Sequence, residues 1–191
     1  EGSNQPYVTH MNGFEGGLRV RFLLKEKDWR DRTIYDLQDS EIAAVSVEYP
    51  KQKNKSFRLQ RTADGLEVVP FYEITPRINQ PIHQGKAKGY LKGFEDLIAE
   101  SFENNSPLRD SVSQLVPFSI IRVQRTDGTE KTIRLHPFGY GDLYNEEGEP
   151  LPTLENSSKI ERYLADVSTG DFMLVQHLIF QRVLWGYEFF F

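Results

Sequence analysis

A β-hairpin pattern occurs twice in this chain. From Glu41 to Leu59, the residues Ile42, Val45 and Val47 lead through a polar loop to Phe57 and Leu59. From Ser119 to Leu135, Ile121 and Val123 lead through Asp127-Gly128 to Ile133 and Leu135. The second strands share one form, Phe57-Arg58-Leu59 and Ile133-Arg134-Leu135. Alternation of this kind sends apolar side chains to one face of a sheet, and Asp-Gly is a strong hairpin turn. A helical pattern separates the copies and another follows the second. The order ββ, then βββα, then ββ(β)α predicts an α+β fold: duplicated hairpin units, each followed by a helix, with a mainly antiparallel sheet. We read residues 1–191 as one domain holding two pseudo-repeats, 36–105 and 112–186, and an N-terminal β-hairpin over 5–25.

The remaining elements follow from period and punctuation. Asp64-Gly65 turns the chain into a strand over Leu66–Phe71. From Gln84 to Asn104, the residues Tyr90, Phe94, Leu97, Ile98 and Phe102 fall on one helical stripe. Gly85, Gly89 and Gly93 weaken its first half by roughly 1 kcal/mol each, or let it lie close against the sheet. Ser106-Pro107 starts a short helix ending near Leu115, and a strand is expected from residue 162. Thr169-Gly170-Asp171 supplies cap chemistry for a buried final helix over Phe172–Trp185. Residues 137–152, rich in Gly, Pro, Tyr and acids, read as a long loop. The tail Tyr187-Glu188-Phe189-Phe190-Phe191 reads as a strand or core lid, because an exposed run of three phenylalanines invites aggregation.

Composition narrows the function classes. A hydrophobic content of 38% supports a packed core rather than disorder. The net charge of −5 repels a phosphate backbone, and no Lys/Arg stripe offsets it, which argues against nucleic acid. Cysteine is absent, so disulfides, thiolate nucleophiles and cysteine metal sites are excluded. That is compatible with an oxidising envelope compartment and equally with the cytosol. No apolar run approaches the ~20 residues that span a bilayer. The start at Glu1-Gly2-Ser3 leads us to expect a chain cut from a longer protein, with any signal peptide or anchor upstream.

Catalytic signatures do not rise above background. The four histidines, His10, His83, His136 and His177, form no HxH or HExxH spacing, so no metal and no cofactor are expected. No G-x-S-x-G elbow occurs. Gly139-Tyr140-Gly141-Asp142 reads as turn chemistry, and the acidic pairs Glu95-Asp96 and Glu146-Glu147 as solvated carboxylates. The cluster Asp28-Trp29-Arg30-Asp31-Arg32 has two readings. On a strand, Arg30 and Arg32 would bracket Asp31 as an ion-paired, Trp-packed anchor, or their forks would present a recognition surface. Trp29, Arg30 and Arg32, with Tyr140 and Tyr144 of the acidic loop, form the candidate interaction patch.

Trp29-Arg30-Asp31-Arg32-Thr33-Ile34-Tyr35, the strand Ile42-x-x-Val45-x-Val47, and Gly170-Asp171-Phe172 with Val175-Gln176-x-x-Ile179-Phe180 together resemble bacterial envelope proteins in or near the "domain of unknown function 4340" family. The resemblance touches about half of the chain, and its motifs are structural. It implies a membrane-anchored protein whose soluble part lies outside the cytoplasmic membrane, periplasmic or on the outer face. Some members of that group are linked to gliding-type ABC transporter components, which implies an accessory module. The family carries no functional residues to these positions.

The expectation is therefore a non-enzymatic protein-interaction or accessory module with an envelope or membrane protein partner. Two alternatives stand beside it. One is a small-ligand or glycan-binding domain, with the tyrosines of residues 137–152 stacking on a sugar. The other is a hydrolase with dispersed residues, His136 acting with an acidic loop partner in a deep pocket.

Overall fold

Val45 and Val47 alternate with Ala44, Ser46 and Glu48, and this two-residue period builds the molecule's main sheet. The computed structural model describes residues 29–139 and 153–191. The chain divides into two compact units, residues 1–31 and 32–191. Of the first unit, Trp29, Arg30 and Asp31 are described, and all three are exposed. The expected hairpin over 5–25 lies outside the described residues.

In the second unit the elements are β1 (Thr33–Tyr35), β2 (Ile42–Glu48), β3 (Phe57–Thr62), β4 (Gly65–Pro70), α1 (Gln84–Lys92), β5 (Leu97–Ile98), β6 (Ser101–Phe102), α2 (Arg109–Ser113), β7 (Ser119–Arg125), β8 (Glu130–Phe138), β9 (Arg162–Val167), β10 (Phe172–Gln176) and α3 (His177–Phe180). Among the described residues, eight strands form one sheet in the order β4-β3-β2-β7-β8-β9-β10-β6. Every neighbouring pair is antiparallel. β1 and β5 make a separate two-stranded ladder, with Tyr35 opposite Leu97. The fold is thus mostly antiparallel sheet with a few short helices.

β2 lies at the centre. Val47 faces Phe57 of β3 on one side and Ile121 of β7 on the other. The inner sheet face is apolar: Val45, Val47, Phe57, Leu59, Ile121 and Ile133 are each at most 1% exposed. Tyr90 of α1 and Phe190 of the tail both meet Phe57 edge to face, at 5.6 and 4.8 Å between ring centroids. Each such side chain contributes roughly 1.5–3 kcal/mol by leaving water. The tail is a 3-10 turn over Tyr187–Phe190, held where His83 N donates to Phe190 O at 2.7 Å. It is the expected core lid in a different backbone form. The outer face is polar at its centre, where Arg58 donates to Gln60, Ser46 and Gln124.

Both sheet edges are closed. At β4, Gln84 acts as a substitute strand: its Oε1 accepts from Leu66 N (3.3 Å) and its Nε2 donates to Leu66 O (2.9 Å). Pro70 ends β4 with no N–H to offer. At β10, Glu100 N donates to Leu174 O (2.8 Å) and Glu103 N to Phe172 O (2.7 Å).

Several expectations are corrected. The strand expected through the Trp29 cluster begins only at Thr33. The helix expected to Asn104 stops at Lys92, because the chain packs too tightly at the next residue. A Cβ on Gly93 would lie 2.9 Å from Tyr90 O and 3.1 Å from Arg182 O. Phe94, Leu97 and Phe102 are buried as foreseen, but on a turn and two short strands. The helix expected over Phe172–Trp185 is strand β10 followed by the single turn α3 and a 3-10 turn, Gln181–Val183. Phe172 and Met173, on opposite faces of β10, are both buried, and a strand covered on both faces reads as a continuous apolar run. The helix predicted near Leu115 is present as α2, and β9 starts at residue 162 as read.

Candidate functional site

Where β10 gives way to α3, polar side chains interrupt an apolar sequence. Gln176 pairs across the ladder with Arg162 of β9, and His177 N still donates to Glu161 O at 2.9 Å. The chain then coils, so His177 and Leu178 stand at the mouth of the β9–β10 pair. Two adjoining depressions form there, with volumes of about 440 and 590 Å³. They share Ser158, His177 and Gln181, and together make one open trough. Ile160, Glu161, Arg162, Gln176 and Leu178 complete the first part. Leu154, Glu155, Arg182, Leu184 and Trp185 contribute to the second.

Tyr163 fixes the imidazole. Its hydroxyl lies 3.0 Å from His177 Nδ1, which leaves Nε2 for the trough. Phe118 stacks on the Tyr163 ring at 5.5 Å and holds it in turn. Burial pushes the Tyr163 hydroxyl pKa up, so the phenol keeps its proton. Burial also lowers the His177 pKa, so the ring is neutral at pH 7. Ser158 makes no hydrogen bond to this imidazole among the described residues, so no nucleophile–base pair is assembled.

The charges of the trough are matched within the protein. Arg162 Nε donates to Glu100 Oε2 at 2.8 Å, and Gln176 Nε2 reaches the same oxygen at 3.3 Å. The hydrogen bond from Arg162 holds the Glu100 carboxyl below its usual range. Glu161 lies 3.5 Å from Arg162. Glu155 accepts from Gln52 Nε2 at 2.6 Å, with Lys55 at 3.8 Å. Arg182 Nη2 donates to the backbone oxygens of Glu95 and Asp96, at 2.5 and 2.8 Å. These two residues form a turn, with Asp96 in the left-handed region at φ 51°. At the far end Trp185 stacks on Phe189 at 4.3 Å yet remains 43% exposed. Leu178 at the near end is 74% exposed.

Of the sequence-predicted patch, Trp29 and Arg30 belong to the first unit, and Trp29 is 65% exposed. Arg32 belongs to the second, where it donates to Glu100 O through Nη1. Tyr140 and Tyr144 lie outside the described residues, as do Glu146, Glu147 and His10. His83 caps α1, its Nδ1 accepting from Lys86 N at 3.2 Å. His136 is 3% exposed, and burial lowers its pKa. Among the described residues nothing bonds its Nε2, and it lines neither depression, so the expected pocket with a carboxylate in reach is not formed by them. No group of three His, Asp or Glu among the described residues could hold a metal. His177, Tyr163, Gln181 and Trp185 were not singled out from the sequence. The one signal pointing to them is the polar pair Gln176-His177 inside an otherwise apolar stretch.

No family model matches the chain, and no curated protein or solved structure matches it either. The resemblance to the "domain of unknown function 4340" proteins therefore stands on the residues that carry it.

Proposed function

We propose that this chain is a non-enzymatic binding domain, the protein-interaction or accessory module of a membrane-anchored envelope protein. The trough at His177 is its binding surface. The observation that carries this reading is a preformed, open trough rimmed by an exposed leucine and an exposed tryptophan, with every lining charge already given a partner. Such a surface offers anchors for association without a group activated for chemistry. Its envelope placement draws support from the resemblance and from a cysteine-free composition. We also read the two hairpins as a duplicated unit, supported by the central pairing of Val47 with Ile121, which occupy corresponding places in the two patterns.

The test is cross-linked capture from solubilised membranes with the full-length, natively anchored protein. Leu178→Asp combined with Trp185→Ala should abolish recovery of a stoichiometric membrane partner while the thermal transition persists. Trp29→Ala combined with Arg30→Ala serves as the comparison, since those residues head the patch expected from sequence. If the second pair removes the partner and the first does not, the trough is the wrong surface.

A further inference from the structure

The trough's own chemistry selects among ligands, and we infer that it takes an uncharged saccharide. This rests on the trough being the binding surface and names what fills it.

Charge is the first observation. Arg162 is neutralised by Glu100, Glu155 is held by Gln52 and Lys55, and Arg182 is spent on two backbone oxygens. His177 adds no charge near pH 7. A phosphate, carboxylate or ammonium ligand would find no unmatched counter-charge and would lose its hydration without return. The groups left to a ligand are neutral donors and acceptors: the Ser158 hydroxyl, the Gln181 amide and His177 Nε2. Hydroxyl and planar amide groups that both donate and accept match the paired hydroxyls of a pyranose ring.

The indole is the second observation. Phe189 covers one side of Trp185, yet the residue lines the trough and keeps 43% of its surface open. A rigid aromatic surface beside hydroxyl-binding groups suits a ring with an apolar C–H face and a polar rim. The third observation separates sugar from peptide. An extended peptide commonly binds by adding to an open sheet edge. Here the β10 edge is already satisfied by Glu100 and Glu103, which bond Leu174 O and Phe172 O. That leaves side chains, not a backbone ladder, to do the recognition. The two depressions, about 440 and 590 Å³, give room for two to three sugar rings on the scale of ordinary ligand pockets.

The experiment is an amide and indole NMR titration of the full chain with cellotriose, chitotriose, maltotriose and mannotriose, each tested separately. At least one should shift the Trp185 indole N–H together with the Gln181 and His177 signals. Trp185→Ala should weaken that binding by about tenfold or more, the equivalent of 1.4 kcal/mol. Gln181→Ala, an exposed residue whose amide donates only to Leu178 O, should weaken it severalfold without touching the Phe189 stack. No shift with any trisaccharide, or shifts unaffected by both substitutions, overturns the inference. Loss of membrane-partner capture in the Leu178 and Trp185 variant, with no trisaccharide bound, would overturn the saccharide assignment and leave the trough as a protein-docking surface. If neither capture nor titration responds to the trough variants, both readings fall.

Discussion

The strands β2–β3–β4 and β7–β8–β9 are two three-stranded antiparallel meanders that meet along β2 and β7, and they differ in what the chain does next. After β4 the chain runs to α1, whose Tyr90 covers Phe57 on the inner face. After β9 it returns as β10, extends the sheet, and only then breaks into α3 and the turn that carries Trp185. The first continuation builds core. The second builds a trough in addition, because it leaves the sheet at its end rather than crossing beneath it. A common scaffold therefore supplies stability on one side and a binding surface on the other, and the difference lies in a few residues after the third strand.

The comparison is open to disruption at three points. Phe57→Ala removes a ring gripped by Tyr90 and Phe190, and should cost about 3–5 kcal/mol in chemical denaturation. A cost below about 2 kcal/mol would show that α1 and the tail do not roof the first meander as described. Gly93→Ala should cost about 1–3 kcal/mol, since its methyl group would meet the backbone of both Tyr90 and Arg182. It should also shift the NMR signals of His177, because the continuation of one meander touches that of the other at this glycine. A neutral Gly93→Ala would mean that the two continuations are slack against each other. The smallest effect is expected at Gln84→Ala, about 1 kcal/mol from two lost hydrogen bonds at the β4 edge. Hydrogen exchange should quicken at the Leu66 amide and stay unchanged at the Glu100 amide, where backbone rather than side chain closes the edge. Equal protection in the variant would show that Gln84 is not what shields β4.

Strands were legible wherever one face of the sheet is apolar and the other polar. β2, β3, β7 and β8 all show this, and each lies close to its expected place. β10 was not legible, because Phe172 and Met173 are buried on opposite faces and the period of two disappears from the sequence. The end of α1 was hidden for a related reason: Phe94, Leu97 and Phe102 continue a helical spacing while their burial arises from a turn and two short strands. The trough was invisible in sequence because its parts are distant along the chain. Arg162 finds its partner at Glu100, 62 residues away, and Glu155 finds Gln52, 103 residues away. Short-range pattern carries no information on such pairs.

The seam between β2 and β7 has a consequence for how the chain reaches its native state. Each meander closes through short connections and can form early, in the time range of hairpins. Val45 and Val123, which face each other across the seam, lie roughly 80 residues apart. Joining them requires closing a long loop, so the ordering entropy falls due before the contacts that offset it are made. Assembly of two preformed halves along that single pair of strands is then the slow event in folding, and residues such as Val45, Val47, Ile121 and Val123 set its rate.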